Sequence, residues 1–237
     1  MISFVVPAYN EERLLSATLS SIHTAAREVG HPYEVIVVDD ASTDRTAAVA
    51  LAAGARVVPV QFRHIARPRN AGARAAVGST LVFVDADTLV SPAVLRTTLR
   101  ALEAGAAGGG ATVEFGGPLP RWARGMLPIL RIVMRAGRLA AGCYVFCSRD
   151  AFEAAGGFNE QLYAAEEIAF SRAIGRHGRV VILRETVATS GRKLRSHSGW
   201  EVVALVTGLL RQGTGVVRSR ERLSMWYGER RDDSEKG

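Results

Sequence analysis

A chain of 237 residues, 48% hydrophobic and 22% charged, has the length and apolar content for one large globular domain with an ample core. Its net charge of +7 is unevenly placed: residues 1–118 carry 10 Lys/Arg against 11 Asp/Glu, whereas residues 119–237 carry 20 against 12. No uncharged run approaches the length of a bilayer crossing, and the two cysteines, Cys143 and Cys147, have neither metal-ligand spacing nor the density of a secreted disulfide framework, so a membrane-spanning chain and a disulfide scaffold are excluded.

In chain order, Ile2 to Val6 reads as a short strand stopped by Pro7, with Asn10 capping a helix whose first turn holds Glu11 and Glu12 and whose apolar face recurs from Leu14 to Ala26. Glu34 to Val38 is a second strand ending in Asp39-Asp40; Ser42 or Thr43 caps the helix that follows, and Arg56 to Val60 is a third strand. Strands joined by helical crossovers predict an α/β fold with a mostly parallel sheet. Asn70 to Val77 reads as a short helix leading into Leu81-Val82-Phe83-Val84, an uncharged run suited to a central strand, which enters Asp85-Ala86-Asp87-Thr88. Ser91-Pro92 then start a helix reaching about Glu103, and Thr112 to Phe115 is a strand after a Gly-rich segment.

Residues 121–140 hold Arg121, Arg124, Arg131, Arg135 and Arg138 without one acid. On a helix these form one stripe opposite Met126, Ile129, Leu130, Val133 and Ala140; such a helix either lies on an anionic bilayer or packs its apolar side on the core. Gly142 to Ser148 is a strand containing both cysteines, read as buried free thiols. Arg149 to Ala155 and Glu166 to Arg176 are helical, and Arg179 to Leu183 is a strand. Helices are expected over 197–212 and 215–227, with a disordered tail from Glu229. The N-terminus enters a strand at once, without a leader pattern, so a cytoplasmic protein, peripheral to a membrane at most, is expected.

Three strand ends offer polar groups to one rim: Pro7-Ala8-Tyr9-Asn10-Glu11, Asp39-Asp40 and Asp85-Ala86-Asp87. A carboxylate can accept a nucleobase N–H or a ribose hydroxyl. Alternation along an extended chain puts Asp85 and Asp87 on one side, where they can share a hard divalent cation with phosphate oxygens. Asn70 and Gly72, with Arg74 nearby, fit the wall of the same cleft at a helix start.

Six ordered pieces resemble the family 2 glycosyltransferases: Val5-Val6-Pro7-Ala8-Tyr9-Asn10-Glu11, Val38-Asp39-Asp40-Ala41-Ser42-Thr43-Asp44, Arg69-Asn70-Ala71-Gly72, Asp85-Ala86-Asp87, Gly156-Gly157-Phe158 and Glu166-Glu167. The resemblance implies an A-type nucleotide-sugar domain over residues 1–195, with a donor half at 1–118 and an acceptor half at 119–195, followed by C-terminal helices at 196–228 and a tail at 229–237. It implies inverting transfer of a sugar from a nucleoside diphosphate, UDP favoured, to an acceptor hydroxyl. By position, Ala8, Glu11, Asp39 and Asp40 meet base and ribose, and Asp85 and Asp87 hold Mg2+ or Mn2+. The family's usual base is the second acid of the later pair, here Glu167, with Glu166 in reserve; the pair departs from the commoner Glu-Asp or Asp-Asp. Arg192 or Lys193 stands where relatives close a basic loop over the diphosphate.

A GDP-mannose-dependent transferase to a lipid-linked acceptor is the nearest alternative. Asp85-x-Asp87-Thr88 also fits the nucleophile motif of haloacid-dehalogenase phosphatases, but both lysines, Lys193 and Lys236, fall after Glu166-Glu167, the wrong order for that reading. A nucleotidyltransferase would want a Gly-rich basic cradle where Pro7 to Arg13 is acidic. A non-catalytic binding module would not need every acid that is present.

Overall fold

The computed structural model describes residues 1–118 and 121–191. Arg192, Lys193, the helices expected over 197–212 and 215–227, and the tail lie outside the described residues. Strands β1 (Ile2–Ala8), β2 (Tyr33–Asp40), β3 (Arg56–Val60) and β4 (Thr80–Val84) alternate with helices α1 (Leu15–Val29), α2 (Thr46–Ala52) and α3 (Ala66–Ala75). Then come β5 (Thr88–Leu89), α4 (Pro92–Glu103), β6 (Ala106–Gly116), α5 (Arg121–Ala136), β7 (Tyr144–Ser148), α6 (Arg149–Ala154), α7 (Glu166–Ile174) and β8 (Arg179–Ser190).

One sheet runs β3-β2-β1-β4-β7-β6-β8-β5. Its first four strands are parallel, as the crossovers dictate. Beyond β4 the sheet is mixed: β7 is antiparallel to β4 and to β6, β6 is parallel to β8, and β5 is antiparallel to β8. Phe4, Val6, Val82 and Val84 join the layer of α1 and α4, while Val5, Leu81 and Phe83 face that of α3, α6 and α7. That is why β1 and β4 are apolar at consecutive positions.

Several local expectations are corrected. Pro7 does not stop β1, because the ladder to β4 ends at Val5–Phe83 and Pro7 is paired only with β2, opposite Val38. Asn10 does not cap α1, which begins at Leu15 after a turn closed by Leu14 and Leu15 N–H groups donating to Glu11 O. Neither Ser42 nor Thr43 caps α2; its N-cap is Arg45, which makes no side-chain cap bond, and Asp44 just before it accepts from Thr46 N at 2.9 Å. Ser91 does cap α4, accepting from Val94 N at 3.3 Å with Pro92 behind it. The strand expected at Thr112 to Phe115 takes in the Gly-rich segment before it and begins at Ala106. A Cβ at Gly109 would collide with Val181 O, and one at Gly108 with Phe146 O, so only glycine lets β6 sit between β7 and β8. Strand β8 also runs on past Leu183 to Ser190, pairing with both β6 and β5.

Candidate active site

The parallel strands end at one rim, and the loops after β1 and β2 are knitted there. Asn10 N donates to Ser42 Oγ at 3.0 Å, and Thr43 N donates to Asn10 Oδ1 at 2.8 Å. Glu11 N donates to Thr46 Oγ1 at 2.8 Å, and Arg45 pairs with Glu12 at 3.3 Å. Ala8 stands opposite Asp39 in the parallel ladder. Asn10, Ala41, Arg63 and Ala165, all in loops around this rim, hold φ between 49° and 59°, a left-handed conformation that non-glycine residues adopt at a cost.

The two acids after β2 have different partners. Asp40 accepts backbone N–H groups from Phe62 at 2.5 Å, Arg63 at 2.9 Å and His64 at 3.1 Å, so its carboxylate is occupied in shaping the 61–65 loop. Asp39 accepts a longer bond from Ser42 N, 3.3 Å. The loop that Asp40 holds puts the Arg63 guanidinium 4.0 Å from the centre of the Tyr9 ring and sets His64 against Tyr163, ring centroids 4.7 Å apart.

Asp85 to Thr88 is a turn closed by Thr88 N donating to Asp85 O at 3.0 Å, not the extended segment the alternation argument assumed. Thr189 Oγ1 donates to Asp87 Oδ1 at 3.2 Å, while Asp85 Oδ1 accepts from Arg69 Nη2 at 2.9 Å. Asp85 Oδ2 has no hydrogen bond among the described residues, and the side chain is 30% exposed. Two partly open carboxylates supply hard oxygen donors, and no third His, Cys, Asp or Glu joins them among the described residues. That set fits a Mg2+ or Mn2+ ion whose remaining ligands are water and substrate phosphates.

Arg69 joins the halves of the site. Its guanidinium, 1% exposed, donates to Glu166 Oε1 from Nη1, and to Asp85 Oδ1 and Gly142 O from Nη2, the latter two both at 2.9 Å. Glu166 is equally buried. Arg69 Nη2 and Glu167 Cδ each lie 3.5 Å from where a Cβ on Gly142 would stand, so guanidinium and second carboxyl share one small space. Burial first, and then the neighbouring Glu166 charge, push the Glu167 carboxyl up to about 8 against the pull of Arg69. Sequence reasoning gave Arg69 a place in the Arg69-Asn70-Ala71-Gly72 piece but no role of its own. Its partner Glu166 is 97 residues away, and nothing local announces that pairing.

Not every candidate lies on this rim. Asn70 sits inside α3 and clamps the Gly156-Gly157-Phe158 loop, donating to Phe158 O and Glu160 Oε1 and accepting from Phe158 N, each at 2.9 Å. Gly72 lets α3 press on the sheet, since a Cβ there would strike Val5 and Val38. Ala86 is buried, its carbonyl accepting from Thr18 Oγ1 at 2.9 Å. Arg74 is exposed beside a cleft of about 730 Å³ between α3, α6 and α7, which is lined by Glu160 but by none of Asp39, Asp40, Asp85, Asp87, Glu166 and Glu167.

The family model for glycosyl transferase family 2 matches residues 3–154, which takes in both knitted loops, Arg69 and the Asp85–Asp87 turn. The chain belongs to that family. An undecaprenyl-phosphate 4-deoxy-4-formamido-L-arabinose transferase of Pseudomonas fluorescens is 35% identical over 94 residues, 36% of this chain and 27% of that protein. The match thus spans about a quarter of the relative's length. Among solved structures, the mannosyltransferase of Pyrobaculum calidifontis in complex with GDP-Man and Mn2+ aligns with a TM-score of 0.68 at 22% identity, over 92% of this chain and 62% of that one. Glucosyl-3-phosphoglycerate synthase of Mycobacterium tuberculosis, in complex with Mn2+, UDP and glucosyl-3-phosphoglycerate, aligns at 0.59 with 25% identity, over 91% of this chain and 80% of that one. These neighbours have the A-type glycosyltransferase fold, which this chain shares.

Proposed function

We propose that this family 2 member is a metal-dependent, inverting glycosyltransferase moving a sugar from a UDP-sugar to a hydroxyl of an acceptor held at a membrane surface. The observation that carries the reading is the Arg69 bridge, which puts the donor-side Asp85 and Glu166, the first acid of the α7 pair, on one guanidinium. The Mn2+ and UDP of the mycobacterial synthase and the undecaprenyl phosphate in the Pseudomonas relative's name support the donor and the acceptor's setting. Residues 1–195 form the catalytic domain in this reading, with the donor held by 1–118 and the acceptor met by 119–195.

A divalent cation on Asp87 and Asp85 would supply charge neutralisation at the departing diphosphate. Asp39, with Ala8, Tyr9 and Glu11 around it, accepts hydrogen bonds from base and ribose; Asp40 shapes the loop that carries Arg63 over Tyr9. Arg69 pairs with Glu166 and fixes it in place. Glu167, partly accessible and poorly solvated, takes the acceptor hydroxyl's proton as that oxygen attacks the anomeric carbon opposite the leaving group, which inverts the centre. An alcohol needs this base; a phosphate acceptor, already anionic, does not.

A thermal-shift screen of UDP-glucose, UDP-N-acetylglucosamine and GDP-mannose, each with and without Mn2+, tests the reading. A rise in midpoint with a UDP-sugar only when Mn2+ is present is expected. A shift with GDP-mannose alone moves the donor to the alternative. No shift with any nucleotide sugar overturns the function.

A further inference from the structure

We infer that α5 is a docking helix for an anionic membrane surface, with Ile129, Ile132 and Val133 entering the lipid and the arginine flank meeting the headgroups. This deepens the acceptor assignment above and rests on it only for what the membrane presents. Ile129, Ile132 and Val133 are 64%, 69% and 55% exposed, and among the described residues the other exposed large hydrophobics, Met1, Leu51, Val77 and Leu89, stand on other elements. Spacing of i, i+3 and i+4 gathers the three into one ridge.

The sequence pattern placed Ile129 and Val133 directly opposite the arginines, facing either the core or a bilayer. In the fold, α5 turns a different side inward: Ala123 is fully buried and Leu127 is 8% exposed. The apolar ridge is therefore left outside, next to Arg124, Arg131 and Arg135, which are also exposed. An exposed apolar ridge bordered by arginines, with no acid anywhere in residues 121–140, is complementary to anionic lipid: the ridge enters the acyl boundary and the guanidinium groups rest among phosphates.

The chain on either side of the helix passes by the proposed site. Before α5, β6 ends at Phe115-Gly116 opposite Thr189-Ser190, and Thr189 bonds Asp87. After it, the chain returns through Ala140, whose N–H donates to Ser171 Oγ on α7, to Gly142, which Arg69 holds. Arg131 Nη2 donating to Val113 O at 2.6 Å fixes the middle of α5 to β6. A membrane under this ridge lies beside the acids that a lipid-borne acceptor must reach.

Flotation of the full chain with vesicles of equal parts phosphatidylcholine and phosphatidylglycerol, and with phosphatidylcholine alone, tests the inference. The wild type is expected to float with the anionic vesicles and to lose at least roughly tenfold in partitioning with neutral ones. An Ile132→Ser/Val133→Ser double variant and an Arg135→Ser variant, all at exposed positions, are expected to weaken anionic flotation while keeping the wild-type melting midpoint. Absence of wild-type flotation, or flotation unchanged in both variants, overturns the docking role. So does concentration-dependent dimerisation that the double variant abolishes, which would make the ridge a contact between copies. The donor-induced thermal shift is read in parallel without lipid. Lost flotation with an intact shift removes the docking alone, and a lost shift with intact flotation removes the donor reading alone.

Discussion

Of two adjacent glutamates only Glu166 is bonded to Arg69, and on the proposed reading that divides their work. Neighbouring helical residues point about 100° apart, so the sequence could name the pair but not its members' roles. In the fold Glu166 is spent on the guanidinium, while Glu167 stands with its pKa raised. Glu167→Gln is therefore expected to keep donor binding and to lose roughly 10²- to 10⁴-fold in transfer to an alcohol, read in a kinetic assay beside donor titration. Because the base must be ionised, the wild-type rate should fall as pH drops through a value above the ordinary carboxylate range; an acid limb near the usual glutamate pKa would remove the role. A raised carboxyl also binds a proton in the folded state that the unfolded chain has already released. Stability should thus fall as pH rises from about 4.5 toward 8, and Glu167→Gln should melt higher than wild type at the upper end of that window. Replacing Arg69 acts oppositely. Arg69→Met strands the buried Glu166 carboxylate, a change of a kind that costs about 3–5 kcal/mol, and its melting midpoint should drop well below wild type.

Elements with a clear period were legible, and those set by close approach were not. The first four strands, the helices between them and the Ser91-Pro92 start of α4 follow from apolar runs, spacing and cap chemistry. Only the Thr112 to Phe115 part of β6 was legible, because Gly108, Gly109 and Gly110 carry no side-chain pattern; they are strand because their neighbours leave no room for a Cβ. Asn70 and Gly72 had the right motif and an unforeseen duty, one clamping the 156–158 loop and the other admitting α3 to the sheet. Asp40 holds a loop too, accepting three backbone N–H groups that no other element satisfies in this way. Asp40→Ala leaves those donors without the carboxylate and should cost about 1–3 kcal/mol, measured by denaturant unfolding. The same variant should weaken nucleotide affinity by freeing the loop that bears Arg63. Unchanged stability would mean the loop finds other partners.

Across the whole molecule, the family match covers residues 3–154, and the acidic rim that would recognise the donor lies within it. The acid pair and β8 come after, and they return to the same rim because β8 packs on β6 and bonds Asp87 through Thr189. The surplus of arginine in the second half is partly explained by α5, an element whose exposed apolar ridge could not be told from a buried face by periodicity alone. The central claim is that acids distant in sequence hold one nucleotide-sugar diphosphate through a metal ion. Calorimetric titration of UDP into wild type and Asp87→Ala, with and without Mn2+, addresses it most directly. Binding that requires Mn2+ in the wild type and disappears in Asp87→Ala is the predicted result; equal affinity in all four titrations would contradict it.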